Sequence, residues 1–131
     1  MKPSPIMLLL SALALSTASC SRKDDTSAGK GGNATLVCAP AHHGVYKNIT
    51  NAKVYIKYNA QDKPAGYDDS ATCVWTDGKP TATFSGLKTG NYYLYSNGYD
   101  TTINSVVEGG ISYQIKTETN QTVTIPVTEG D

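Results

Sequence analysis

The sequence of 131 residues has room for one domain of ordinary size. Its 11 Lys and Arg residues balance its 11 Asp and Glu residues, so the formal net charge is zero. A neutral surface does not attract nucleic acid, and we expect no nucleic-acid partner. Nine Tyr residues against one Phe and one Trp, in a chain with 12 Gly, favour pleated strands over helices.

Residues 1–19 have the layout of an export signal. Lys2 supplies a positive charge, an apolar run covers residues 6–15, and small residues lead up to Cys20. The apolar run is too short to stay as a membrane-spanning helix. We therefore predict that 1–19 is a signal peptide.

The motif Thr17-Ala18-Ser19-Cys20 resembles the lipobox of bacterial lipoproteins. In that family, signal peptidase II cleaves before the cysteine, which then receives a diacylglyceryl group and usually an N-acyl chain. The resemblance implies a lipid on Cys20 that anchors the protein to a membrane, and no other cofactor. Leu is usual where Thr17 stands, which leaves cleavage by the ordinary signal peptidase after Ala18 as the alternative.

A charged run and then a flexible stretch follow Cys20. Lys23, Asp24 and Asp25 resemble the export signal of Bacteroidota lipoproteins, which implies an outer-membrane protein displayed on the cell surface. A plain solvated tether is the alternative. Residues 26–33 contain no apolar side chain larger than Ala, so 20–33 is predicted to be a flexible tether ahead of a domain over 34–131.

Alternation of apolar and polar residues organises the predicted domain into strands. The residues predicted to face inward are Ala52, Val54, Ile56 and Tyr58, then Ala82 and Phe84, Tyr92 and Leu94, and finally Val123, Ile125 and Val127. Further strands are predicted over 35–39, 71–76, 104–107 and 111–117. Turns are predicted at 77–78, 85–86, 89–90, 97–98, 109–110 and 119–120. Seven or eight short strands at this spacing predict an all-β fold, an antiparallel sandwich of two sheets.

Three stretches, 51–58, 76–94 and 108–110, resemble transthyretin-like modules, which include carboxypeptidase regulatory-like and Cna-B-type domains. The shared pattern is a polar turn, a strand ending in an aromatic residue, Gly-Leu, and a turn into Gly-x-Tyr. It implies a transthyretin-like or immunoglobulin-like sandwich and no activity. His42-His43, the strand segment 52–55 and the stretch 92–100 are also similar to small Bacteroidota surface lipoproteins, most of which have no assigned function.

Cys38 and Cys73 are the remaining cysteines once Cys20 carries lipid. A pair of cysteines in an exported domain usually forms a disulfide, and we predict one here. It would close a loop of about 35 residues and stabilise the domain by roughly 3 to 4 kcal/mol. The alternative is two buried free thiols.

Neither a metal site nor a catalytic site is predicted. His42 and His43 are adjacent on a predicted strand and would point to opposite faces. Asp62, Asp68 and Asp69 do not have the spacing of a calcium loop. The sequence has no Gly-x-Ser-x-Gly and no His-Glu-x-x-His motif. Glu108 or an aspartate could pair with a second acid in the fold, but sequence alone does not give their separation, and we expect no enzyme.

The feature that best suggests binding is a set of outward tyrosines interleaved with lysines. Its members are Tyr55, Tyr93, Tyr95, Lys53 and Lys57. Tyrosine rings with polar tips suit stacking on sugar rings or anchoring a protein, whereas an ordinary cross-strand ladder is the alternative. We therefore expect a non-enzymatic surface lipoprotein, either an accessory to an outer-membrane assembly or a binder of glycan or protein. The alternatives are a structural envelope lipoprotein facing the periplasm and, less favoured, a metal-binding or hydrolytic domain.

Overall fold

A computed structural model describes residues 27–130, so the predicted signal peptide, Cys20 and the run Lys23, Asp24 and Asp25 lie outside the described residues. The described chain is all β, with eight strands. They are β1 (Lys30–His42), β2 (Thr50–Tyr58), β3 (Asp69–Thr72), β4 (Val74–Thr76), β5 (Lys79–Leu87), β6 (Gly90–Asp100), β7 (Ser105–Ile115) and β8 (Asn120–Glu129). Between residues 27 and 130 there is no helix with the length and hydrophobicity to cross a membrane.

The strands form one sheet in the order β3-β2-β6-β7-β8-β1-β5-β4. Eight strands and the all-β class confirm the coarse prediction, but the structure has one sheet where two were expected. The prediction of an entirely antiparallel arrangement is wrong for β1 and β8, which run parallel from the pair Thr35 and Asn120 to the pair His42 and Val127. β1 and β8 are the first and last strands of the described chain, so no hairpin fixes their relative direction.

The sheet curves into a nearly closed barrel. Its two edge strands, β3 and β4, are separated along the chain by Cys73 alone, where the sequence predicted a single strand over 71–76. The Cys73 amide donates to the Ala52 carbonyl at 2.8 Å, while Val74 pairs with Thr81 of β5. The chain thus passes from one end of the sheet to the other at Cys73.

The core lies inside this barrel and contains the residues that alternation predicted to face inward. Each of the following is at most 5 % exposed: Ala52, Val54, Ile56, Ala82, Phe84, Tyr92, Leu94, Val123, Ile125 and Val127. Tyr58 is half-buried at the edge and packs against them. The inward and outward assignment of these strands is therefore confirmed.

Several predicted turns lie inside strands instead. Residues 97–98 belong to β6, residues 109–110 to β7 and residues 85–86 to β5. Two of these glycines allow close packing, since a Cβ on Gly98 would lie 2.5 Å from Ile49 Cγ2 and one on Gly109 would overlap the Pro126 carbonyl oxygen. At Asp77-Gly78, by contrast, both residues have positive φ and form the predicted two-residue turn.

Strand β1 begins before the predicted domain boundary at residue 34. β1 starts at Lys30, and Ala28 is already buried. The Ala28 amide donates to Asn59 Oδ1 at 2.8 Å, and the Gly29 amide donates to the Tyr92 hydroxyl at 2.8 Å. Residues 28–33 of the predicted tether therefore belong to the folded domain, because backbone amides in this stretch are hydrogen-bonded to it, which composition does not reveal.

Candidate functional site

The predicted tyrosine surface lies on the outer face of β2 and β6. Tyr55 and Tyr95 are direct partners in the antiparallel ladder, and their ring centroids are 5.8 Å apart. Tyr93 lies opposite Lys57 in the same ladder. A Cβ on Gly110 of β7 would collide with the Tyr93 ring, so this glycine leaves room for it. Strand register thus brings the predicted tyrosines side by side.

Sequence alternation missed Tyr67, which lies in the connection between β2 and β3. Its ring is stacked on Tyr95, with centroids 5.7 Å apart and planes at 20°, and lies 5.4 Å from Tyr55. The Asp68 amide donates to the Ile56 carbonyl at 2.9 Å and fixes this connection beside β2. We refer to Tyr55, Tyr67 and Tyr95 as the tyrosine cluster. Had the sequence predicted that β3 pairs with β2, it would have placed Tyr67, just before β3, beside the tyrosines of β2.

Polar groups surround an open depression beside this cluster. Its lining residues are Tyr55, Tyr67, Asp68, Asp69 and Ser70. Asp68 Oδ2 accepts from the Tyr58 amide at 2.7 Å, and Asp68 Oδ1 lies 3.4 Å from Lys57 Nζ. Asp68 and Asp69, weighed as calcium ligands from sequence, therefore line an aromatic surface instead.

Lysines contribute unequally to this face. Lys63 Nζ lies 5.1 Å from the centroid of the Tyr95 ring, a cation–π distance. Lys57 contacts Asp68, and Lys53 is exposed on the outer face of β2 beside Tyr55. The predicted binding surface included Lys53 and Lys57 but not Lys63.

Two hydroxyls of the cluster, those of Tyr95 and Tyr67, are hydrogen-bonded or buried. Tyr95 donates to Glu108 Oε2 at 2.6 Å, and burial, followed by this hydrogen bond, holds the pKa of Tyr95 well above its usual value. Burial also raises the pKa of Tyr67, whose hydroxyl has no hydrogen-bond partner among residues 27–130. Tyr67 and Tyr95 therefore stay neutral at physiological pH, and Glu108 orients Tyr95.

The prediction that His42 and His43 point to opposite faces is wrong. His42 and Val45 exchange backbone hydrogen bonds of 2.9 and 3.0 Å around the two-residue turn His43-Gly44. Both turn residues have positive φ, 50° and 79°, so strand alternation ends at His42. The His43 ring consequently lies 4.4 Å from the His42 ring.

Two carboxylates hold these rings. His42 is 2 % exposed, and its Nδ1 lies 2.8 Å from Asp100 Oδ2 while its Nε2 lies 2.5 Å from Glu129 Oε2. His43 Nε2 lies 3.1 Å from the same Glu129 oxygen. We refer to His42, His43, Asp100 and Glu129 as the histidine cluster. The sequence did not predict it, because only the parallel pairing of β1 with β8 brings Glu129 to the end of β1.

The protonation of this cluster follows from its hydrogen bonds. The Glu129 carboxylate, more than any other group, raises the pKa of His42. The Thr102 hydroxyl and amide, together with His42, hold the pKa of the Asp100 carboxyl well below its usual range. His42 likewise lowers the pKa of Glu129. Both carboxylates are therefore ionised, and the His42 ring can donate to both.

Cys38 and Cys73 face the same core as free thiols, and the predicted disulfide stays a prediction. Burial, with Cys73 as a smaller influence, raises the pKa of Cys38 to about 12. Burial raises the pKa of Cys73 to about 11. Neither thiol has the low pKa of a reactive cysteine.

In the reduced, folded protein we expect both thiols to resist iodoacetamide. At pH 8 only about 0.1 % of a thiol with a pKa of about 11 is thiolate, and this fraction rises about tenfold per pH unit. Intact-mass time courses on the full chain carrying Cys20→Ser, from pH 7 to 9, measure the rates. Labelling in denaturant is the control, and equal rates in both conditions would contradict the prediction. A disulfide would instead block labelling in denaturant until a reductant is added.

Two groups of side chains thus stand out in the described part of the chain. The tyrosine cluster offers aromatic faces beside carboxylates, and the histidine cluster offers two imidazoles beside two carboxylates. Comparison with protein-family models, with curated proteins and with solved structures gave no match.

Proposed function

We propose that this protein is a non-enzymatic binding module of the bacterial envelope whose tyrosine cluster binds a glycan. The observation that carries the proposal is the meeting of Tyr55, Tyr67 and Tyr95 on one outer face, beside the depression lined by Asp68 and Asp69. Aromatic faces stack on the apolar face of a sugar ring, and carboxylates accept hydrogen bonds from its hydroxyls.

Tyr67 favours a binding surface over an ordinary sheet cover. A cross-strand ladder needs only strand residues such as Tyr55 and Tyr95. Tyr67 comes from a connection between strands, yet its ring is stacked on Tyr95. The buried Tyr67 hydroxyl has no hydrogen-bond partner within residues 27–130, so the side chain contacts its neighbours through the ring alone.

The polarity of the depression favours a glycan over a protein. The centre of a protein interface is depleted of charged residues. Here Asp68, Asp69 and Ser70 make up most of the lining, and a ligand rich in hydroxyl groups supplies donors for their oxygens. A protein partner is the competing outcome of the test.

For the address, we propose an outer-membrane lipoprotein anchored through Cys20 and displayed on the cell surface. The support comes from the lipobox resemblance and from Lys23, Asp24 and Asp25. The structural alternative, a lipoprotein facing the periplasm, requires that this charged run act only as a tether. Protease treatment of intact cells separates the two, because only a surface protein is lost.

The resemblance to transthyretin-like modules remains part of the proposal. In the shared Gly-x-Tyr pattern, Tyr92 is the tyrosine, and its hydroxyl donates to the Lys88 carbonyl at 2.7 Å across the turn between β5 and β6. This contact gives the motif a structural role, in keeping with a module that carries no catalytic motif.

Replacing Tyr67 by Ser is expected to weaken glycan binding at least about tenfold, equivalent to about 1.4 kcal/mol. The ring supplies a stacking face, and its loss leaves the strands intact. An array of neutral and acidic oligosaccharides identifies ligands of the full chain, and isothermal titration calorimetry with the best ligand compares variants.

Tyr99→Ser is the matched control, because Tyr99 is an exposed tyrosine of β6 outside the cluster. Equal affinity of the Tyr67→Ser variant and the parent chain would refute the tyrosine cluster as the site. If no oligosaccharide binds and a single envelope protein is captured through Tyr67, the glycan proposal is wrong and the partner is a protein.

A further inference from the structure

The histidine cluster brings three metal-ligating side chains together, with His42 buried and His43 and Glu129 exposed. His42, His43 and Glu129 each offer one ligand atom, and these atoms lie within 4.8 Å of one another. Two imidazole nitrogens and a carboxylate oxygen form a donor set that suits Zn²⁺ and neighbouring divalent transition metals. We propose that His42, His43 and Glu129 bind a divalent transition-metal ion, with Zn²⁺ as the reference case.

Two of the separations between ligand atoms lie within about 1 Å of the separation that the ion requires. Tetrahedral zinc with bonds of about 2.0 to 2.1 Å holds its ligand atoms about 3.3 Å apart. His43 Nε2 lies 3.1 Å from Glu129 Oε2, and His42 Nε2 lies 2.5 Å from it. Glu129 ends β8 with its side chain 45 % exposed, so a small rotation opens the shorter contact. The ion then replaces the proton between His42 and Glu129.

Asp100 prepares His42 for this role. The carboxylate accepts from Nδ1–H of the ring, which leaves Nε2 directed at Glu129. Asp100 is itself fixed, because Oδ1 accepts from the Thr102 amide at 2.9 Å and Lys47 Nζ lies 3.5 Å from Oδ2. A carboxylate behind a metal-ligating histidine fixes the tautomer and raises the basicity of the ring.

The presence of His43 favours a metal site over a buried ion pair. The pair of His42 with its two carboxylates needs no second imidazole. Yet the turn with positive φ at His43 and Gly44 folds the His43 ring, 62 % exposed, over the same Glu129 oxygen. The ion therefore reaches the ligands from solvent, and its remaining coordination positions face water or a partner molecule.

The inference is independent of glycan binding, and its test uses the metal alone. The full chain carrying Cys20→Ser, purified without a polyhistidine tag, is titrated with Zn²⁺ by calorimetry and by competition with a chromophoric chelator. We expect one ion per chain. Cobalt substitution is expected to give the absorption of a nitrogen and oxygen site without sulfur-to-cobalt charge transfer, which excludes Cys38 and Cys73 as ligands.

Variants locate the site. His43→Asn removes one ligand and keeps the turn, because Asn-Gly favours positive φ at both positions. His43→Asn and Glu129→Gln are each expected to weaken Zn²⁺ binding at least about 100-fold, and Asp100→Asn about 10- to 100-fold. Glu118→Gln, which changes an exposed carboxylate elsewhere, is the control and should bind as the parent does. Absence of binding by the parent chain, or unchanged affinity in both His43→Asn and Glu129→Gln, would overturn the proposal.

Discussion

Replacing Gly109 by Ala is expected to destabilise the protein by about 3 kcal/mol, at the upper end of the range for overpacking. The new methyl group would overlap the Pro126 carbonyl oxygen, a backbone atom of β8 that cannot rotate away. The seam between β7 and β8 is also short, since only Val107 with Glu129 and Glu108 with Thr128 are paired there. Separating β8 from β7 at this point therefore opens the barrel.

Gly66→Ala is the matched control for this change. Nothing lies within 4 Å of a Cβ on Gly66, so we expect a change within about 0.5 kcal/mol. Urea denaturation followed by circular dichroism gives both free energies of unfolding. A Gly109→Ala variant that unfolds at the same urea concentration as Gly66→Ala would show that the seam accommodates a side chain.

Replacing Tyr92 by Phe is expected to cost about 2 to 3 kcal/mol although the core loses no carbon atom. The fully buried hydroxyl accepts from the Gly29 amide at 2.8 Å and donates to the Lys88 carbonyl at 2.7 Å. Phe leaves both backbone groups without this partner, and an unsatisfied buried group costs about 1 to 3 kcal/mol.

The loss should be local as well as global. Hydrogen exchange is expected to accelerate most at Gly29 and the first residues of β1, because Tyr92 holds that segment to the turn between β5 and β6. Tyr93→Phe is the control, since Tyr93 lies on the opposite, outward face of β6. Equal exchange at Gly29 in the two variants would mean that other contacts, such as the Ala28 amide to Asn59, hold the segment.

Local pattern predicted the strands and their inward faces well. In β2 the alternation of Ala52, Val54 and Ile56 with polar neighbours matches burial residue by residue, because a pleated strand has a period of two. Once β2 and β6 are neighbours, the strand register places Tyr55 opposite Tyr95. The outward tyrosines were accordingly identified from sequence.

What the sequence did not predict depends on contacts between distant segments. Gly98 and Gly109 were predicted to be turn residues, but in the structure each allows a neighbouring segment to pack closely. The sequence alone does not say which segment lies beside each glycine. The histidine cluster depends on the parallel register of β1 with β8 and on the left-handed conformation of His43. A two-residue turn ending in Gly44 was the local signal that would have corrected the placement of His43.

The position of β1 has a mechanical consequence. This strand has 13 residues, about 40 Å of extended chain, and is hydrogen-bonded to β8 on one side and β5 on the other. A pull on the chain ahead of Lys30 acts along the strand, across the perpendicular hydrogen bonds of the antiparallel β5 pair and the slanted bonds of the parallel β8 pair. These bonds share the load and must break together in shear, whereas the bonds of an edge strand peel open one by one. We therefore expect the domain to resist traction on the segment that precedes it.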